Sequence, residues 1–109
     1  MPKTEYLQGA LDLLILKTLA LGPNHGWGIQ QRIKQVSREA LSVSQGSLYP
    51  ALHRLEAAGV VASETTVSDN NRIARVYRLT AAGRRRLETE ADDWRQFSQA
   101  IRRLLQAEG

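Results

Sequence analysis

Ser44-Gln45-Gly46-Ser47-Leu48-Tyr49-Pro50-Ala51-Leu52-His53-Arg54-Leu55-Glu56-Ala57-Ala58-Gly59 is the stretch on which the fold turns. Leu48, Leu52 and Leu55 recur at steps of four and three, so a helix over 45–58 turns one apolar face inward. Gln45, Ser47, Tyr49, His53 and Arg54 then fall on its other faces, and Gly59 is placed to end it as the C′ residue. Its start has two readings. Ser44 is a suitable N-cap, whereas Ser42 with Gln45 three residues on satisfies the capping-box pattern. Pro50 lies beyond the first turn, and its ring presses on the carbonyl of Gly46, which predicts a bent or loosened N-terminal turn rather than a broken helix.

Working outward, Leu7, Leu11, Leu14, Thr18 and Leu21 form an apolar seam, widened by Ile15 and Leu19, that predicts a helix over 7–21. Gly22-Pro23-Asn24 stops it. A second helix over 27–38 follows, with Ile29, Ile33 and Val36 on one face, and the brief alternation at 41–43 allows a very short strand. Downstream, 60–67 is rich in β-branched residues, and 73–79 alternates with Tyr77 and Leu79 on one side. Ser68-Asp69-Asn70-Asn71 between them is turn chemistry, so the pair reads as a hairpin. Thr80 then caps a long helix over 81–107. The order predicts a mainly α fold with a small β-hairpin wing: a winged helix-turn-helix over 1–80, with the helix at 45 as recognition helix. A C-terminal helix over 81–109 would pack beside the first helix and dimerise.

Composition fits one small globular unit. In 109 residues the hydrophobic fraction is 42% and the charged fraction 24%. There is no cysteine, which removes disulfides, thiolate nucleophiles and cysteine-ligated metals and suits a reducing cytoplasm. The apolar run 11–21 is broken by Asp12 and Lys17 and is too short to span a bilayer. No small-residue cleavage site or basic leader marks it as a signal peptide. The net charge of +4 is unevenly spread. Arg72, Arg75, Arg78, Arg84, Arg85 and Arg86 lie between 61 and 87 against only Glu64 and Asp69, the arrangement a polyanion-binding surface needs. By charge alone, nucleic acid and an acidic membrane are both open.

The candidate DNA contacts are Gln45, Ser47, Tyr49 and Arg54 on the recognition helix and Asn71, Arg72 and Arg75 at the wing. Gln can pair with adenine, Tyr reaches phosphates, and an Arg on a hairpin tip can meet a phosphate or a narrow minor groove. The last helix carries the sharpest pattern. Leu87, Ala91, Trp94, Ser98, Ile101 and Leu105 alternate steps of four and three, a seam sustained over almost three heptads. Such a helix outreaches a domain this small, so Leu87, Ala91, Trp94, Ile101 and Leu105 are the expected dimerisation residues.

Catalysis finds no support. His25 and His53 are the only histidines, and the acids Glu88, Glu90, Asp92 and Asp93 lack histidine at ligand spacing, so neither a catalytic triad nor a metal site is expected. No glycine-rich phosphate loop occurs, and no cofactor is expected. A protein-interaction module without DNA binding is the alternative, with Trp27 and the acidic last helix as its surface.

Three segments resemble the PadR family of transcriptional regulators. They are Gly22-Pro23-Asn24-His25-Gly26-Trp27-Gly28-Ile29, then Val43-Ser44-Gln45-Gly46-Ser47-Leu48-Tyr49-Pro50-Ala51-Leu52-His53-Arg54-Leu55-Glu56, and Val76-Tyr77-Arg78-Leu79-Thr80-Ala81-Ala82-Gly83. The resemblance covers nearly the whole chain, and its smaller members carry a single C-terminal helix. It implies a homodimeric repressor on an inverted-repeat operator, often released by a small molecule, with Gln45, Ser47 and Tyr49 facing the groove and Arg72 and Arg75 on the wing. Some relatives bind flat aromatic compounds between dimer-related tryptophans, which makes Trp94 the candidate effector contact. Two departures stand out: the family often has tyrosine where Trp27 stands, and its wing tip is usually more basic than Asn70-Asn71-Arg72-Ile73.

Overall fold

A computed structural model describes residues 4–108, with side chains from residue 10. The extremes of the two-part division, 1–3 and 109, and the side chain of Leu7 lie outside the described residues. The elements run α1 (Thr4–Ala20), β1 (Asn24–His25), α2 (Gly26–Val36), α3 (Gln45–Ala57), β2 (Val61–Val67), β3 (Ile73–Leu79) and α4 (Ala81–Gln106). The fold is mainly α with a small antiparallel sheet, ordered β1-β3-β2, whose β2–β3 hairpin is the wing. No helix among the described residues is long and apolar enough to cross a membrane.

The core is built where the helices converge. Leu11, Ile15, Leu16 and Leu19 of α1 meet Ile29 and Ile33 of α2, Leu48, Ala51, Leu52 and Leu55 of α3, and Val60, Val61, Tyr77 and Leu79 at the sheet. The face expected of α3 is the buried one. The seam expected of α1 is buried at Leu11, Ile15, Thr18 and Leu19 but not throughout: Leu21 is exposed and Leu14 only partly buried, while Leu16, outside that seam, is fully buried. The reason is that α1 packs against α2, α3, α4 and β3 and is apolar on several sides, so no single stripe decides its inward face. Val36 is likewise exposed, because α2 ends there. Arg38 and Glu39 take left-handed backbone (φ 53 and 66) and turn the chain away.

The short strand at 41–43 does not form. The Leu41 amide bonds the Ser37 hydroxyl (3.0 Å) and the Val43 carbonyl accepts from Gln30 Nε2 (2.8 Å), so side chains take the groups a neighbouring strand would need. The third strand is instead Asn24–His25, which pairs with Tyr77 and Val76 of β3 and ties the entrance of α2 to the wing.

An ionic cluster joins three helices. Asp12 of α1 accepts from Arg54 of α3 at 3.1 Å and from Arg86 of α4 at 3.0 Å, while Arg86 also holds Glu90 at 2.7 Å. The hydrogen bond to Glu90 raises the Arg86 pKa against the opposing effect of burial, with Asp12 adding to the rise, so the guanidinium stays charged throughout the working pH range.

Candidate nucleic-acid interface

Ser44 resolves the start of α3. Its Oγ accepts from the Ser47 amide at 3.2 Å, the geometry of an N-cap. The helix then runs through Pro50 without interruption to Ala57. At 100° per residue, burying Leu48, Ala51, Leu52 and Leu55 leaves Gly46, Pro50, His53 and Ala57 along the outer ridge. Gln45, Tyr49 and Glu56 flank that ridge toward the wing, and Ser47 and Arg54 flank it on the other side. The ridge is made of small or flat side chains, so the helix offers a slim edge with hydrogen-bonding groups on both shoulders.

The hairpin positions the second half of the surface. Its register, Val61↔Leu79 to Val67↔Ile73, makes Val61, Ser63, Thr65 and Val67 share one face with Leu79, Tyr77, Arg75 and Ile73. Burial grades along that face: Val61, Leu79 and Tyr77 are buried at the base, Arg75 is exposed further out, and Val67 and Ile73 are exposed near the tip. At the tip the Arg72 carbonyl accepts from the Ser68 amide (2.9 Å), and Asn71 adopts left-handed backbone (φ 58), which asparagine tolerates.

Between α3 and the wing lies an open groove of about 530 Å³ lined by Tyr49, His53, Glu56, Ala57, Arg75 and Tyr77. A second hollow of about 460 Å³ adjoins it, with Tyr49, Arg72 and Arg75 in its wall beside His25 and Trp27. The structure therefore brings Tyr49, Arg72 and Arg75 onto one surface. Asn71 stands exposed at the wing tip, Gln45 is exposed at the start of α3, and the partly buried Ser47 shares the cap through a 3.2 Å bond from the Ser44 hydroxyl. Arg54 is not brought to the wing side; its Nη1 is directed at Asp12.

Close approach sets Tyr49. Its ring lies against the backbone of Gly26 so tightly that a Cβ there would stand 2.8 Å from Cζ and overlap the hydroxyl. A side chain at position 26 would have to displace the ring, which here packs α3 against the entrance of α2. That entrance adds residues that sequence reasoning missed. His25 caps α2, its Nδ1 accepting from the Gly28 amide at 3.0 Å, and its ring stacks with Trp27 at 6.2 Å, leaving the indole 61% exposed. His53 could have been found, since it follows Tyr49 by one helical turn. Trp27 is legible as an exposed surface residue, but its place beside the wing is not, because that depends on β1 pairing with β3.

Burial holds the Tyr77 phenol above its ordinary pKa; the Arg75 charge opposes this, while Tyr49 and Glu56 reinforce it. A phenol with a raised folded-state pKa contributes stability that is complete below about pH 10 and lost as pH rises beyond it. The chain has three tyrosines. In an alkaline titration followed by ultraviolet absorbance, Tyr77 is expected to ionise late and Tyr77→Phe to remove that late step; identical profiles for the two proteins would contradict this.

The profile of the transcriptional regulator PadR-like family matches residues 15–89. A transcriptional regulator of Mycobacterium tuberculosis is 42% identical over 101 residues, 93% of this chain and 88% of its own length. Among solved structures, a PadR family transcriptional regulator of Eggerthella lenta superposes with a TM-score of 0.81 at 27% identity, covering 96% of this chain and 89% of its own. A PadR-like transcriptional regulator of Bacillus cereus superposes with a TM-score of 0.80 at 25% identity, over 95% and 99%.

Proposed function

The chain belongs to the PadR-like family of transcriptional regulators, which are not enzymes, and on that footing we propose that it binds duplex DNA as a homodimeric repressor. The observation that carries this reading is the single surface on which Tyr49 of α3 meets Arg72 and Arg75 of the wing. A slim helical edge suits a major groove, and cations beside it suit the flanking phosphates. In this reading Gln45 and Ser47 reach base edges and Tyr49, Arg72 and Arg75 hold phosphates. Asn71 works at the wing tip, and Arg54 uses the donors that Asp12 leaves free.

Pairing through Leu87, Ala91, Trp94, Ile101 and Leu105 of α4 sets two α3 helices about one turn of DNA apart, which an inverted-repeat operator would match. The protein would then act in the cytoplasm, beside the DNA. A flat aromatic effector is the proposed release signal. Trp94 lines a hollow of about 230 Å³ with Leu13, Glu90, Asp93 and Phe97, smaller than the usual ligand pocket of at least ~300 Å³. A second copy across α4 would supply the remaining wall.

The test is titration of the purified chain with genomic duplex fragments. Arg75→Ala is expected to weaken binding to all sequences roughly tenfold and to reduce the salt slope by about one. Tyr49→Ala is expected to lose a similar factor. An unchanged salt slope would take the wing out of the interface, and a chain that retains no fragment even in dilute salt would overturn the reading.

A further inference from the structure

Arg75 does not stand free on the wing. Its Nη1 donates to Ser63 Oγ at 3.0 Å, and Ser63 Oγ donates in turn to Glu56 Oε2 at 2.7 Å. The direction of this chain is fixed by chemistry, since a guanidinium can only donate and a carboxylate without a proton can only accept; the serine hydroxyl does one of each. Ser63 sits opposite Tyr77 in the hairpin, so Arg75 is its diagonal neighbour on the face turned toward α3. Glu56 is on α3 itself, two turns beyond the cap residue's first partners. The three groups thus run from the recognition helix, through one wing strand, to the cation on the other.

We infer that Glu56 and Ser63 are positioning residues for DNA binding: they hold Arg75 over the groove between α3 and the wing. This rests on the reading of Arg75 as a phosphate contact. An arginine side chain is long and rotamer-rich, and ordering it only on contact with DNA would cost affinity. The relay engages one nitrogen. The other guanidinium donors have no partner among the described residues and stay open to a phosphate oxygen. The relay also explains an acidic residue in a groove otherwise suited to an anion: Glu56 is turned to a hydroxyl that passes its charge preference to Arg75.

The experiment is a double-mutant cycle read by binding to a short mixed-sequence duplex in dilute salt. Ser63→Ala is expected to weaken binding roughly threefold to tenfold, about the net worth of one ordinary hydrogen bond since Ser63 acts only through Arg75, and Ser63→Thr, which keeps the hydroxyl, to restore most of it. In the Arg75→Ala background, Ser63→Ala is expected to add nothing. Glu56→Ala, on a helix, carries the same comparison should Ser63→Ala melt early. Nitrogen NMR of the Arg75 guanidinium in the free protein gives a readout without DNA: Ser63→Ala is expected to speed its rotation. Equal losses in both backgrounds, or no loss from either single variant, would overturn the inference while leaving DNA binding intact. A wild-type chain that ignores the duplex would instead remove the underlying reading, and the inference with it.

Discussion

Gly83→Ala is expected to lower the thermal midpoint of unfolding by roughly 10 °C, a fall of about 2 kcal/mol in a domain of this size. Gly83 is buried in the first turn of α4, where its amide donates to the capping Thr80 hydroxyl at 3.1 Å. A Cβ built there would overlap the Val60 carbonyl oxygen and stand 2.6 Å from Leu79 Cδ1. The leucine could shift, but the carbonyl cannot easily retreat. It accepts from the Thr80 amide at 3.2 Å, and the Thr80 hydroxyl donates to the adjacent Gly59 carbonyl at 2.8 Å. Relief of the overlap therefore opens the junction at which α3 ends, β2 begins and α4 starts. Alanine gains about 1 kcal/mol over glycine inside a helix, but overpacking costs about 1–3 kcal/mol and a strained buried hydrogen bond a similar amount. Gly46→Ala is the control, since among the described residues, its own chain neighbours and helix backbone aside, the atom nearest its added methyl is Ser44 Oγ at 3.9 Å. Circular dichroism melts of both variants check this; a Gly83→Ala midpoint matching that of Gly46→Ala would show that the junction yields freely.

That junction also marks where the sequence is easy and hard to read. Segments with one buried face speak through their periodicity: Leu48, Leu52 and Leu55 in α3, and Tyr77 and Leu79 in β3, are buried as their spacing predicts. Segments enclosed on several sides speak less clearly: the spacing in α1 finds Leu11, Ile15 and Leu19 but not the buried Leu16, and it includes the exposed Leu21. The two-residue β1 carries no pattern at all. It exists because β3 offers Val76 and Tyr77 an open edge, and that is a tertiary fact. The same limit governs the candidate interface. Tyr49, Arg72 and Arg75 are chosen by residue type and position within their own elements, and they meet. Ser63 and Glu56, and the place of Trp27 beside the wing, enter only through strand register and the packing of α3 on the wing, which no local pattern announces. Arg54 shows the converse: its polar position on α3 is legible, but its partner is Asp12, 42 residues earlier in the chain.

Replacing both Ile101 and Leu105 by aspartate is expected to convert a dimer into monomers and to weaken operator binding at least ~100-fold, because two linked half-site contacts become independent. The α4 helix spans 26 residues, about 39 Å at 1.5 Å per residue, in a molecule whose longest dimension is 63 Å. Its first half is anchored: Leu87 packs on the core and Arg86 is paired with Asp12 of α1. Past Ser98 every described residue is exposed, yet the helix continues to present Ile101, Leu104 and Leu105, the last at 79% exposure, beside Trp94 and Phe97. The apolar face is thus broader than the four-and-three seam alone, since Phe97 and Leu104 widen it. An isolated helical end with such a face would fray in water, and the proposed pairing would cover it with the same face of a second chain. The same exposure makes the variant a clean one: neither side chain supports the single-chain core, so the circular dichroism of the winged domain is expected to persist while the sedimentation coefficient falls. A doubly substituted chain that still sediments as a dimer would place the interface away from α4, and a monomer that holds an inverted repeat as tightly as before would remove pairing from the mechanism.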